Sequence, residues 1–381
     1  MIPFNKPFFT GKETFYIEQA VRNGKISGNG EFTKKCQLFF ENKYNFKKCL
    51  LTTSCTDALE MCAILANIQT GDEVIVPSYT FVSTALAFVR QGAKIVFADS
   101  QTFHPNIDEK KIETLITSKT KAIVPVHYAG MACDMKIIMG LAQKYNLFVI
   151  EDAAHAVDSY YFDKQFSIYP KALGSIGHFS AFSFHETKNI ISGEGGMVVI
   201  NDDRFINRAK VIWEKGTNRA EFIRGEVNKY GWIDIGSSFL PSEVIAAFLY
   251  AQIENLLKIQ NKRKKIWDHY YKRLKPLADK GFFLLPEIPE FATNNFHMFY
   301  IVCNSLNERS KLINYLKYND ILAVHHYLSL HSSSFYITKH DGRKLENSDK
   351  YSNCLLRLPF FYELEMVDID KIVKIITKNY Q

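Results

Sequence analysis

The 381-residue chain has seven cysteines, and no two of them form a CxxC pair. An odd count with that spacing excludes a disulfide framework and argues for free thiols, so a reducing, cytoplasmic setting is expected. No stretch approaches 18 uncharged apolar residues, which argues against a membrane-spanning helix. Met1 to Phe9 shows no basic region followed by an apolar run, so no secretory leader is expected. Charge of one sign is scarcely in excess: 47 basic against 40 acidic side chains leaves +7. The basic residues are scattered apart from short clusters such as Lys262, Arg263, Lys264 and Lys265, which read as a solvated helix face. Zinc-finger spacing and arginine-rich tracts are also missing, so neither nucleic acid nor a metal is an expected partner. Internal repeats and low-complexity tracts are absent. What is present is 47% hydrophobic and 23% charged, an ordinary globular composition in a chain long enough for a large and a small domain. The mild positive balance suits an anionic small substrate.

A rhythm begins after residue 50. Short apolar runs at 73–76, 94–98, 122–126, 147–150, 178–184 and 197–200 lack period-2 alternation. Helical patterns at 56–65, 84–91, 109–116 and 135–145 separate most of them. The pattern predicts an α/β fold with a mostly parallel central sheet covered by helices on both faces, mixed in sense near its end. One long helix is expected from near Pro241 to near Leu274. The Pro-containing stretch 275–289 then leads into a small C-terminal α+β domain, with a strand at 297–302 and a helix at 308–316. The expected division is 1–250, a large domain including the N-terminal segment, and 251–381, a linking helix plus the small domain.

Three strand ends carry residues with chemical potential, where open α/β sheets build their sites. In LFVIEDAAH, Asp152 stands where an apolar strand stops. Its carboxylate could hold a ring nitrogen protonated, or it could cap a helix. In FSFHETKNIISGEGG, Lys188 lies between a strand and a glycine-rich turn, with Ser183 and His185 on the approach. A lysine shielded from water has a lowered pKa and can form a Schiff base; the alternative is a surface lysine. No Lys-Ser/Thr follows Gly193 to Gly196, so this is not a P-loop. In TTSCTD, hydroxyls and free backbone N–H groups at a helix start could hold an anion or serve as an ordinary cap. Phosphate cradle, ring-nitrogen partner and amine nucleophile are together what pyridoxal 5′-phosphate requires.

Over essentially its whole length the chain resembles the DegT/DnrJ/EryC1/StrS family of sugar-nucleotide aminotransferases, within the fold-type I pyridoxal-phosphate enzymes. The segments that carry the resemblance are MIPFNKP, GDEVIVPSYTFVSTA, IVPVHYAG, LFVIEDAAH, FSFHETKN with SGEGG, EKGTNR and WIDIGSS. The resemblance implies that Lys188 is the Schiff-base lysine and the acid/base of the proton shift, and that Asp152 faces the pyridine nitrogen. His155 takes the position that hydrogen-bonds the cofactor's 3′ oxygen, where other members often have Gln. Thr56 and Asp57 would receive the phosphate with help from Ser183, and Phe81 would stack on the ring. Many relatives complete the phosphate site with an Asn from the neighbouring subunit; Ser238 takes that position here. Glu186 and His331 would lie near the sugar, although Ser329 replaces a usual Pro and puts the local backbone shape in doubt. The 127–130 segment would line the cleft. Lys215 and Arg219 would meet the nucleotide diphosphate, a surface ion pair being the alternative.

The implied reaction transfers an amino group from L-glutamate to C4 of dTDP-4-keto-6-deoxy-D-glucose. It gives dTDP-4-amino-4,6-dideoxy-D-galactose and 2-oxoglutarate, in lipopolysaccharide or antigen biosynthesis. A homodimer with its active sites at the subunit interface is implied as well. Amination at C3 or of a GDP- or UDP-keto sugar is the nearest alternative. A sibling group of sugar 3-dehydratases has His in place of Lys188. A non-catalytic sensor or scaffold of the same fold is the third alternative, and an intact Lys188 and Asp152 argue against it.

Overall fold

Buried apolar runs set the frame of the molecule. The computed structural model describes residues 1–163 and 169–380. Seven strands share one sheet: β1 (Lys48–Thr52), β2 (Glu73–Pro77), β3 (Lys94–Ala98), β4 (Thr120–Ile123), β5 (Phe148–Asp152), β6 (Phe179–Ser183) and β7 (Gly196–Ile200). Their order in space is β1-β7-β6-β5-β4-β2-β3. Neighbours among β2 to β6 run parallel, whereas β7 is antiparallel to both β1 and β6. The sheet is therefore mixed and mostly parallel. Every residue of β2, β6 and β7 is buried, which is why these strands read as continuous apolar runs. Strand β1 lies where the sequence pattern predicts none, because only Cys49, Leu50 and Leu51 form its apolar core.

Helices cover both faces of this sheet. They include α1 (Glu13–Arg22), α2 (Glu31–Tyr44), α3 (Cys55–Leu65), α4 (Ser83–Val89) and α5 (Met135–Tyr145). Strand alternation divides the interior: Ile75 joins one apolar cluster, while Val74 and Val76 join the other. Helix α3 starts where Ser54 Oγ accepts the Asp57 N–H at 3.0 Å. The start of α2 is held by a side chain from elsewhere in the chain. Glu243 accepts the N–H groups of Gly30, Phe32 and Thr33 at 2.9, 2.7 and 3.1 Å.

The single long helix expected after Pro241 is two helices, α6 (Glu243–Glu254) and α7 (Leu256–Ala278). Asn255 interrupts them with φ −103° and ψ 8°, and its side chain turns back to the Ala251 carbonyl at 3.0 Å. Helix α7 also runs past Pro276, beyond the predicted end. The proline sits in the last turn, where little of the helical ladder is left to lose. The basic cluster on this helix is not one solvated face. Arg263 is buried and donates to the carbonyls of Phe296 and His297 at 3.0 and 2.5 Å. Four consecutive helical residues span all sides of a helix, so one of them must turn inward.

A smaller antiparallel sheet follows: β8 (Phe283–Leu284), β9 (Tyr300–Cys303) and β10 (Leu355–Arg357). It packs with α8 (Leu306–Tyr318) and α9 (Met366–Asn379) around a third apolar cluster. Leu256 and Ile259 of α7 belong to the first cluster, and Ile266 to Leu277 belong to the third, so one helix joins the two cores. The N-terminal segment also touches both. Ile2 bridges Ile321, Phe8 stacks on Tyr362 at 3.7 Å, and Asn5 donates to the Glu186 carbonyl at 3.3 Å.

Candidate active site

The C-terminal ends of β5 and β6 and the start of α3 open into one cavity of about 480 Å³. Among its lining residues are Ser54, Cys55, Thr56, Phe81, Ser83, Asp152, His155, Ser183 and Lys188. A larger hollow of about 660 Å³, beside Met139 of α5, Tyr161 and His178, holds none of the sequence-predicted site residues.

Asp152 and Glu151 show how a strand end sorts two adjacent acids. Side chains alternate, so the two point to opposite sides. Asp152 lines the cavity. Its Oδ2 accepts from Thr84 Oγ1 at 2.7 Å and its Oδ1 from the Ala154 N–H at 3.1 Å. Burial raises its pKa, while these hydrogen bonds and the Lys188 charge oppose the rise. Glu151 faces the interior instead and accepts from the N–H groups of Gly174, Ile176 and Gly177 and from His127 Nε2. That pairing corrects the expectation that His127 lines the cleft: its ring is fully buried against Glu151.

Lys188 sits in the loop between β6 and β7. Burial pushes its pKa down to about 8; Arg357 pushes the same way, and Cys55 and Asp152 oppose. At pH 7 that leaves roughly a tenth of the amine neutral, far more than an ordinary lysine has, which is what a nucleophilic lysine needs. His155 is held well below the usual imidazole range by burial and by the Lys188 and Arg357 charges. Its Nδ1 accepts the Ala129 N–H at 3.3 Å, which leaves the proton on Nε2 and makes that nitrogen a donor. The ring stacks on His297 at 4.3 Å, and His297 Nδ1 pairs with Asn189 Oδ1 at 2.8 Å.

The anion cradle is at the α3 start. The Cys55 and Thr56 N–H groups lie in the first turn, where a helix has no internal acceptors, and Thr56 Oγ1 pairs with Ser83 Oγ at 2.7 Å. Gly196 lets β7 pass against this turn, since a Cβ there would lie 2.5 Å from the Cys55 nitrogen. Asp57 is placed differently. Its N–H is taken by Ser54, its carboxylate by Thr53, and it is not among the cavity-lining residues. Phe81 is exposed on the cavity wall, 5.8 Å from the Tyr327 ring.

Besides Asp57, five expected residues lie outside this cavity. Glu186 borders a smaller pocket behind Lys188. His331, expected near the sugar, does not line the cavity. Its ring is buried with Nδ1 on Ser78 Oγ at 2.7 Å and Nε2 3.6 Å from Asp349, a packing role beside β2. Lys215, Arg219 and Ser238 gather in a separate hollow of about 240 Å³, with Glu214 4.0 Å from Arg219. Conversely, Phe4, Thr80, His297, His326, Tyr327 and Arg357 line the cavity without having been singled out. Arg357 carried a visible signal, a charge inside the apolar run LLRLP.

A model of the DegT/DnrJ/EryC1/StrS aminotransferase family matches residues 9–377. The chain belongs to that family. It is 30% identical to the spore coat polysaccharide biosynthesis protein SpsC of Bacillus subtilis (strain 168), covering 98% of this chain and 95% of that one. It is also 30% identical to GDP-perosamine synthase of Escherichia coli O157:H7, covering 100% and 98%. Among solved structures, an aminotransferase from Psychrobacter cryohalolentis superposes with a TM-score of 0.90 at 26% identity over 99% of both chains. A putative sugar aminotransferase, Spr1654 from Streptococcus pneumoniae in its PMP form, superposes at 0.89 with 24% identity over 100% and 99%. The protein is thus a sugar aminotransferase with the fold-type I architecture, and its family depends on pyridoxal 5′-phosphate. The residues present fit that cofactor: two free N–H groups and hydroxyls for a phosphate, a buried carboxylate for a ring nitrogen, a donor at His155 and an amine at Lys188. Among the described residues no helix of this aminotransferase is long and apolar enough to cross a membrane.

Proposed function

We propose that this aminotransferase moves the amino group of L-glutamate to C4 of dTDP-4-keto-6-deoxy-D-glucose, giving dTDP-4-amino-4,6-dideoxy-D-galactose and 2-oxoglutarate. The observation that carries the reading is the meeting of Lys188, Asp152 and the α3 start around one cavity. Pyridoxal 5′-phosphate, when bound, supplies the electron sink that makes the donor's Cα–H acidic. The chain's own groups do the rest. Asp152, oriented by Thr84, holds the ring nitrogen charged. Thr56, Ser183 and the first N–H groups of α3 bind the phosphate, His155 donates to the 3′ oxygen, and Phe81 covers the ring. Lys188, partly neutral with its pKa near 8, takes the proton at the donor's Cα and returns one at the sugar carbon.

The dTDP sugar rests on the sequence motifs. A GDP-linked keto sugar is the second reading, favoured by the full-length likeness to a protein named GDP-perosamine synthase. Purified protein with L-glutamate and each of the dTDP-, GDP- and UDP-linked keto sugars separates them, with product NMR fixing the carbon aminated. Turnover of the GDP sugar alone would replace the first reading by the second.

The same reading makes the protein a cytoplasmic homodimer, divided at residues 250 and 251. Free cysteines support the compartment. Exposed Ile223, Trp232, Ile233 and Ile235 beside Ser238 support the dimer. In it, Ser238, Lys215 and Arg219 of one copy would serve the cleft of the other.

A further inference from the structure

Three arginines are buried in the small-domain half of the molecule, and two of them, Arg263 and Arg309, donate to backbone carbonyls. Arg357, at the end of β10, is 7% exposed, and its Nε has no hydrogen-bond partner. Among the described residues no carboxylate forms an ion pair with it. Its guanidinium carbon lies 5.1 Å from the centre of the Phe4 ring, which shields it from water. Tyr300 stands directly opposite Arg357 in the strand register, and its buried hydroxyl also lacks a partner. Arg357 lines the same cavity as Lys188. A cation desolvated without a counter-charge is costly, and an arriving anion relieves that cost.

Four anionic groups enter such a site when glutamate is the donor, and chemistry separates them. Glutamate's side-chain carboxylate lies two methylenes beyond the reacting carbon and is not tied to a place beside the lysine. The cofactor phosphate has its own cradle at the α3 start. The nucleotide diphosphate is attached at C1 of the sugar, so the sugar ring separates it from the carbon being aminated. The donor's α-carboxylate is bonded directly to the carbon that exchanges a proton with Lys188, so it must lie beside that lysine. We propose that Arg357 is the anchor for the α-carboxylate of the amino donor, gripping it through its planar fork. The inference rests on the aminotransferase reading with an amino-acid donor. It gives the half of the reaction that handles the amino acid a contact that the neutral sugar ring cannot replace.

The test uses the cofactor-loaded protein, native and with Arg357→Gln or Arg357→Lys. Loss of the cofactor's visible band is followed against L-glutamate without any sugar present. Binding of glutarate, a carboxylate probe that cannot transaminate, is measured by calorimetry. Arg357→Gln is expected to raise the half-saturating glutamate roughly thirtyfold or more and to weaken glutarate comparably. Affinity for pyridoxal 5′-phosphate and half-saturation by the keto sugar nucleotide are expected to stay within about twofold of native. Arg357→Lys keeps the charge without the fork and is expected to fall between; it carries the test if the Gln protein does not fold. Unchanged glutamate and glutarate binding would overturn the inference. So would a loss confined to cofactor affinity, which assigns Arg357 to the phosphate, or one confined to the sugar nucleotide. A native protein inert toward glutamate, glutamine and alanine would remove the donor reading together with this inference.

Discussion

Two hollows hold most of the residues that the sequence singles out, and they differ in what closes them. The Lys188 cavity is built by strand ends, a helix start and the small domain, all from one chain. The Ser238 hollow is lined by Lys25, Glu214, Lys215 and Arg219, and the same loop carries Trp232, which is 84% exposed. In the first, burial moves the pKa values of Lys188, Asp152 and His155. In the second, Lys215 and Arg219 are exposed beside the buried Glu214. Proton chemistry needs a dry pocket that one chain can fold around itself. Charge recognition can stay on a surface until a second body covers it.

The comparison breaks most sharply at Lys188. Lys188→Ala is expected to abolish transamination and the visible band of the lysine-bound cofactor together. Turnover surviving at native rate in the variant would take the chemistry out of the first hollow. Asp152→Asn comes next, with an expected loss of roughly 10²–10⁴ in kcat. The substitution removes the anion and sets an NH₂ group against the Thr84 or Ala154 donor. A kcat within tenfold of native would show that the ring nitrogen needs no carboxylate.

How far the sequence reaches follows the same division. That Lys188, Asp152, His155, Thr56 and Ser183 gather in one cavity is legible, because strand ends in parallel sheets are where sites form and the apolar runs mark those ends clearly. Asp57 and His331 fall outside the cavity, because a motif position does not say which way a side chain turns. Asp57 is spent on its own helix cap, and His331 on Ser78. Arg357, despite its lone charge in LLRLP, and His297 are harder to assign for a different reason. They reach the cavity from the small domain, 169 and 109 residues beyond Lys188, and no local pattern encodes that long-range approach. The Asn255 break escaped notice because the apolar spacing continues through it.

A smaller effect sharpens the first hollow. The Lys188 pKa sits near 8, below the usual lysine range, chiefly through burial. Only the neutral amine captures an aldehyde, so the rate at which apoprotein gains the visible band is expected to rise about tenfold per pH unit below 8 and to level above it. Stopped-flow mixing with pyridoxal 5′-phosphate from pH 6 to 9.5 reads this directly. A midpoint near 10.5 would mean that the cavity is wet. Arg357→Gln is expected to move the midpoint upward, because removing a neighbouring cation favours the protonated lysine.

The smallest expected effect falls on the second hollow. Ser238 is exposed and its backbone bridges Glu214 within its own chain, so Ser238→Ala costs the monomer little. If its hydroxyl meets the phosphate in a second copy's cleft, the variant loses one hydrogen bond to a charged partner, about 1.5–3 kcal/mol at most in cofactor affinity. The loss should appear only in the dimer. Trp232→Asp, placed on the exposed apolar run, is expected to raise the monomer fraction in sedimentation velocity. In that background Ser238→Ala should change cofactor affinity no further. A Ser238 effect of equal size in monomer and dimer would tie the two hollows together within one chain and erase the contrast. An unchanged affinity in a proven dimer would remove Ser238 from the phosphate and leave the helix start, Thr56 and Ser183 to hold it alone.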